Sequence, residues 1–158
     1  MFLEMSAQEI ALLSKFNLLH PQTKQEIQEY MNYTLFRQYQ RELYNALLAS
    51  AAISNGLNQI VRMCEREETD AEEILTKLKQ VKFYFYQTYE RVKTKYEGVL
   101  VAIHAEDSLL DLGRIGFENI LEAIYSNDKQ QVRRETEEFI GMFRKLANRG
   151  DKRRIVAV

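Results

Sequence analysis

The sequence predicts an all-α protein: an elongated helical bundle of about five helices. Three observations predict it. One proline and no tryptophan stand among 158 residues, so little interrupts a helix once it has begun. Apolar residues recur at steps of three and four, most cleanly from Ile74 to Ile103, which is the helical period. Ser/Thr-x-x-Glu capping boxes stand at Ser6–Glu9 and Thr69–Glu72, where the side chains of cap and third residue satisfy each other's free backbone N–H groups.

Composition narrows the class. Hydrophobic residues at 46% and charged residues at 28% describe neither a disordered chain nor a membrane protein. A net charge of −1 gives no global pull toward nucleic acid. The lone cysteine, Cys64, excludes an intramolecular disulfide framework and a multi-cysteine zinc site. This length suits a single helical-bundle domain over residues 1–150, followed by a basic C-terminal tail over 151–158. Met1 to Met5 carries Glu4 and no basic n-region, so no targeting segment is expected and the chain is read as cytoplasmic. The uncharged stretch from Leu43 to Val61 contains Asn45, Ser50, Ser54, Asn55, Asn58 and Gln59, too many polar groups for a lipid-facing span. No membrane association is expected.

In chain order, Ser6 opens a short helix to about Leu18, with Ile10, Leu13 and Phe16 or Asn17 near one face. Pro21 suits the first turn of a second helix over about 21–66, because its missing N–H costs nothing there. The seam of that helix is Ile27, Met31, Leu35, Tyr39, Leu43, Ala46, Ser50, Ile53, Leu57, Ile60 and Cys64. It keeps phase across Gly56, which predicts one continuous helix. A third helix over about 70–104 carries the seam Ile74, Leu78, Val81, Phe85, Tyr89 or Thr88, Val92, Tyr96, Val99 and Ile103. Helix four, about 107–126, turns Leu110, Phe117, Ile120, Leu121 and Ile124 inward. After an Asn or Asp cap at residues 127–128, helix five runs over about 128–149 through Val132, Phe139, Phe143 and Leu146.

These lengths do not match. At 1.5 Å per residue the central hairpin has arms of about 68 and 50 Å, against about 30 Å for each arm of the C-terminal hairpin packed on it. Apolar surface is left over, and a second copy of the chain covers it most simply, so a homodimer is expected. A bend at Gly56 that folds the second helix back into a compact monomer is the alternative.

Residues with chemical potential are few. A di-iron bundle needs two Glu-x-x-His motifs, whereas Asn17 and Val101 precede His20 and His104 by three. His104 has Glu106, Asp107 and Asp111 nearby, but Asp107 or Ser108 serves as a helix cap and His104 closes the preceding helix. The chain resembles histidine-phosphotransfer proteins in bundle topology alone, since Asp107 and Ser108 replace the Lys and Gly that follow their histidine. Cys64 lies on the second seam beside Glu65, with Arg62 and Arg66 opposing, and reads as a packed thiol. Gly113-x-x-Gly116 follows no strand and precedes no Lys-Ser/Thr; close helix packing or a local break accounts for it. Neither catalytic residue, metal nor cofactor is expected, and the chain is read as no enzyme.

Surface signals are stronger. Residues 81–89 hold five aromatics. With Phe85 on the seam, Tyr84 and Tyr86 flank it and Phe83 falls about 160° away, so Phe83, Tyr84 and Tyr86 are the candidate partner-binding patch. Asn45, Ala49, Ala52 and Gly56 follow one another at helical steps without charge and form the candidate dimer interface. Glu65–Glu73 holds six acids and one base, and Arg144–Arg154 six bases and one acid. Lys152, Arg153 and Arg154 lie past the helix end and are the candidate nucleic-acid contact. Residues 18–35, with Pro21-x-x-Lys24-x-Glu26-Ile27-x-x-Tyr30-Met31, resemble the helices that trail small repressor DNA-binding domains; no function is carried over from so short a run. The expectation is a non-enzymatic regulatory or adaptor protein acting through helical protein–protein interfaces. The alternative is a nucleic-acid-binding transcriptional regulator using the basic tail.

Overall fold

The computed structural model describes residues 4–100 and 108–155, with side chains at 4–100 and 109–146. Among these residues it is all-α, with six helices: α1 (Ala7–Asn17), α2 (Pro21–Leu48), α3 (Ala51–Glu65), α4 (Ala71–Glu97), α5 (Ser108–Tyr125) and α6 (Lys129–Ile155). The chain divides into two units, Met1–Arg37 and Gln38–Val158.

In the first unit, the capping box forms as predicted. The Glu9 N–H donates to Ser6 Oγ at 3.2 Å and the Ser6 N–H to Glu9 Oε2 at 2.7 Å. Pro21 takes the first position of α2. Lys24 Nζ lies 5.7 Å from the Phe16 ring centroid. None of the described residues from 4 to 37 is buried.

The second unit holds the core. α3, α4, α5 and α6 each pack on two of the others, in the pairs α3–α4, α4–α5, α5–α6 and α6–α3, which makes a four-helix bundle. The seam of α4 is buried at Ile74, Leu78, Val81, Phe85, Tyr89, Val92 and Tyr96; Tyr89 rather than Thr88 completes it. Phe85 anchors an aromatic cluster. Its ring meets Phe117 edge-on at 5.4 Å, Phe117 meets Phe139 at 5.1 Å, and Phe139 stacks on Phe143 at 6.2 Å. Gly113 and Gly116 explain how α5 comes so close. A Cβ on Gly113 would run into the Phe85 ring, and one on Gly116 into the Phe139 ring. The Gly-x-x-Gly pair is a packing device, and α5 is unbroken through it. Thr136, fully buried, donates its hydroxyl to the Val132 carbonyl at 2.7 Å, so the core carries no unmet donor there.

Several expected boundaries move. The helix expected over 21–66 is two helices, with the break at Ala49–Ser50 and not at Gly56. Ser50 has extended dihedrals and accepts from the Ile53 N–H, a hydroxyl cap that competes with continued helix. Asp70, not Thr69, caps α4, accepting from the Glu73 N–H at 2.9 Å, while Thr69 is buried. α4 ends at Glu97 and not near 104. Gly98 and β-branched Val99, both weak helix formers, follow directly, and Val99 is exposed. Ile103, His104, Glu106 and Asp107 lie outside the described residues. In α5, Leu109 and Leu112 face the core, and Leu110, expected to face inward, is exposed. Asn127, with φ of 56°, makes the turn into α6, where Asp128 caps by accepting from the Gln131 N–H. α6 continues to Ile155, so residues 151–155 are helix rather than tail; 156–158 lie outside the described residues.

Candidate interaction surfaces

Of the predicted aromatic patch, two members are brought together and one is turned away. Phe83 is 61% exposed and Tyr84 43%, and their rings meet edge-on at 5.8 Å. With Thr76, Lys79 and Gln80 they line an open cleft of about 400 Å³ on α4. Tyr86 points inward, with its ring 5.4 Å from Phe85 and 6.1 Å from Phe117. Burial, with Glu118 adding to it, pushes its phenol up. Tyr86 is therefore a flank of the core.

The uncharged stripe is split by the break at Ser50. Asn45 and Ala49 are exposed around the end of α2, and Ala52 is exposed on the first turn of α3. Gly56 is buried, and a Cβ there would collide with Val81. Its lack of a side chain serves the α3–α4 contact within the chain, so it offers no surface to a second copy.

A third surface escaped the sequence reading. In the first unit Ile10, Leu12, Leu13, Leu18, Tyr30 and Tyr33 are all exposed, Leu12 at 66% and Leu18 at 86%. Ile10 and Leu13, expected near one face of the first helix, and Met31, expected on the seam of the second, are all exposed. The signal was present: Ile10 and Leu12 lie about 160° apart at 100° per residue, too far for one buried face.

Polar side chains act mainly as ties. Glu42 on α2 accepts from Lys95 Nζ at 2.8 Å and from the Tyr96 hydroxyl, which in turn accepts from Gln38 Nε2 at 3.1 Å. These two donors hold the Glu42 carboxyl below the ordinary carboxylate value. Burial, reinforced by the Glu42 bond, raises the Tyr96 phenol. At the acidic elbow between α3 and α4, Glu67, Glu68, Glu72 and Glu73 are exposed. Glu65 pairs with Arg133 at 3.3 Å, and Lys129 Nζ donates to the Arg66 and Glu67 carbonyls at 2.8 and 3.3 Å. That ammonium satisfies acceptors at the end of α3, where helical carbonyls lack N–H partners.

Cys64 is half-buried. Burial raises its thiol against the pull of Lys129 and Arg133; these α6 cations, rather than Arg62 and Arg66, are the ones that act on it. A raised thiol is a poor nucleophile. The backbone of Lys152, Arg153 and Arg154 belongs to α6. Among the described residues no three His, Cys, Asp or Glu side chains gather as a metal site, and no helix is long and apolar enough to cross a membrane. Compared with known proteins, the chain matches no protein-family model, no curated protein and no solved structure.

Proposed function

We propose that the chain is a non-enzymatic regulatory or adaptor protein that works through helical protein–protein interfaces, with a second copy among its partners. One observation carries this reading. Residues 4–37 bury no side chain yet expose eight large apolar ones, a surface that a protein partner would cover. Phe83 and Tyr84 add a separate exposed aromatic pair beside Thr76, Lys79 and Gln80, and aromatic side chains are enriched at interfaces.

The test is affinity capture from the native cell, with Phe83→Ser beside the wild type. Because Phe83 is exposed, the substitution should change stability by no more than about 0.5 kcal/mol while weakening capture of a stoichiometric protein. Equal capture by both forms removes Phe83 and Tyr84 from the reading. Sub-micromolar binding to duplex DNA, abolished when Lys152, Arg153 and Arg154 are all changed to Ala, replaces the adaptor reading with the nucleic-acid one.

A further inference from the structure

We propose that the outward face of α4 around Phe83 and Tyr84 docks a partner helix carrying an apolar anchor side chain flanked by carboxylates. This rests on the adaptor reading above and names the chemistry of the partner for one of its surfaces.

The shape of the seat suits a helix. The cleft is lined by Thr76, Lys79, Gln80, Phe83 and Tyr84, which all belong to α4 and are all exposed. A surface supplied by one helix lies open and does not wrap most of a small ligand, as binding pockets do. Thr76, Gln80, Phe83 and Gln87 instead follow one another at steps of four, three and four. They form a ridge of the kind against which a second helix packs. α3 and α5 pack on α4, whose buried side chains run from Ile74 to Tyr96 through Phe85. Phe83 stands about 160° from Phe85, so the ridge faces away from that core.

Charge selects the occupant. From Ile74 to Tyr89 the helix carries Lys77, Lys79 and Lys82 and no acid. Lys79 stands one turn before Phe83, and Lys82 borders Phe83 on the side away from Tyr84. Both Lys79 and Lys82 are exposed, and among the described residues neither pairs with a carboxylate. A carboxylate one turn from the anchor therefore meets a free ammonium. The basic window is also short. Exposed Glu72 and Glu73 stand about three turns before Phe83, and exposed Glu90 about two turns after it. A nucleic-acid strand, charged along its whole length, would meet these acids at both ends. Two lysines would neutralise only about two of its phosphates. The Phe83 and Tyr84 rings stand at 69° to each other, which is not a parallel platform for successive bases. A helix with its acids confined to the centre matches the window and avoids its ends.

The experiment is selection of a displayed library of helical peptides, roughly four turns long and randomised on one face, against the purified full chain. Recovered peptides are then titrated by fluorescence anisotropy. The wild type should return peptides with a Leu, Ile, Met or aromatic anchor and an Asp or Glu one turn from it. Phe83→Ser should weaken their binding about tenfold, because docking buries the exposed part of that ring. Lys79→Glu should weaken it about fivefold at low salt and, used as bait, should return peptides with Lys or Arg in place of the acids. Both positions are exposed, so the main thermal transition should stay in place in both variants. Recovered peptides without an acidic bias, or binding that survives Phe83→Ser, overturn the proposal. So does a single-stranded oligonucleotide that binds through Phe83 more tightly than the acidic peptides, or a wild-type dimer that Phe83→Ser dissolves. Capture from the native cell decides the adaptor reading separately, so a failure here leaves that reading to stand or fall by itself.

Discussion

Helices α1 and α4 open on equally good N-caps, Ser6 and Asp70, yet α4 buries seven side chains and α1 none. The difference lies in how apolar residues are spread. Along α4 an unbroken apolar stripe runs from Ile74 to Tyr96, with Phe83 and Tyr84 lying off it, and α3 and α5 pack against that helix. On α1, Ile10, Leu12 and Leu13 spread over more than one face, and all three are exposed. Local signals decide that a helix starts; a neighbouring apolar surface decides whether it is held. The buried core thus lies in the second unit, and the first carries exposed large apolar side chains with none buried.

The sharpest way to break this contrast is to empty one site in each unit. Phe85→Ala removes the ring at the centre of the aromatic cluster and should cost about 3–5 kcal/mol in denaturant unfolding. Leu12→Ala, at an exposed position, should shift the same transition by less than about 0.5 kcal/mol in dilute solution. Comparable losses in the two variants would mean that the units unfold as one body.

Caps give a smaller version of the same comparison. Ser50→Ala deletes the hydroxyl that accepts from the Ile53 N–H and should cost about 1 kcal/mol. Ser6→Ala should reduce helical signal and amide protection over residues 7–17 and leave the main transition in place. A shift of the main transition by Ser6→Ala would tie α1 to the core.

Smallest is the pH effect of the Glu42 tie. Its folded-state carboxyl is held below the ordinary value of 4.5 by Lys95 and Tyr96. Its contribution is therefore complete above that value and lost as the pH falls through the depressed folded value. Both Glu42 and Lys95 reach solvent, so screening keeps the effect modest. Wild-type melting temperature should fall more steeply than that of Glu42→Gln as the solution is acidified below pH 4.5. Parallel acid profiles would show that the tie contributes nothing to folding.

How far the sequence could be read follows from the range of each interaction. Phe83 was legible as outward-facing because helical phase relative to Phe85 fixes its direction; Tyr86, on the flank, was not, because α5 happened to supply Phe117. Gly56 looked like part of an open stripe because nothing along the chain reveals that Val81 lies against it. Likewise, nothing along the chain reveals that α6 brings Arg133 to Glu65.

By itself, then, the sequence determined what neighbours along the chain decide. It set the all-α class, the capping box at Ser6, the seam of α4 and the turn into α6, all of which depend on contacts within about four residues. Tertiary structure decided the rest. The burial of Leu109 in place of Leu110, the inward turn of Tyr86 and the lack of any buried side chain over residues 4–37 each depend on which surface arrives from elsewhere in the chain. A helical period specifies which residues share a face, but burial is a property of two faces, and the second one is not written locally.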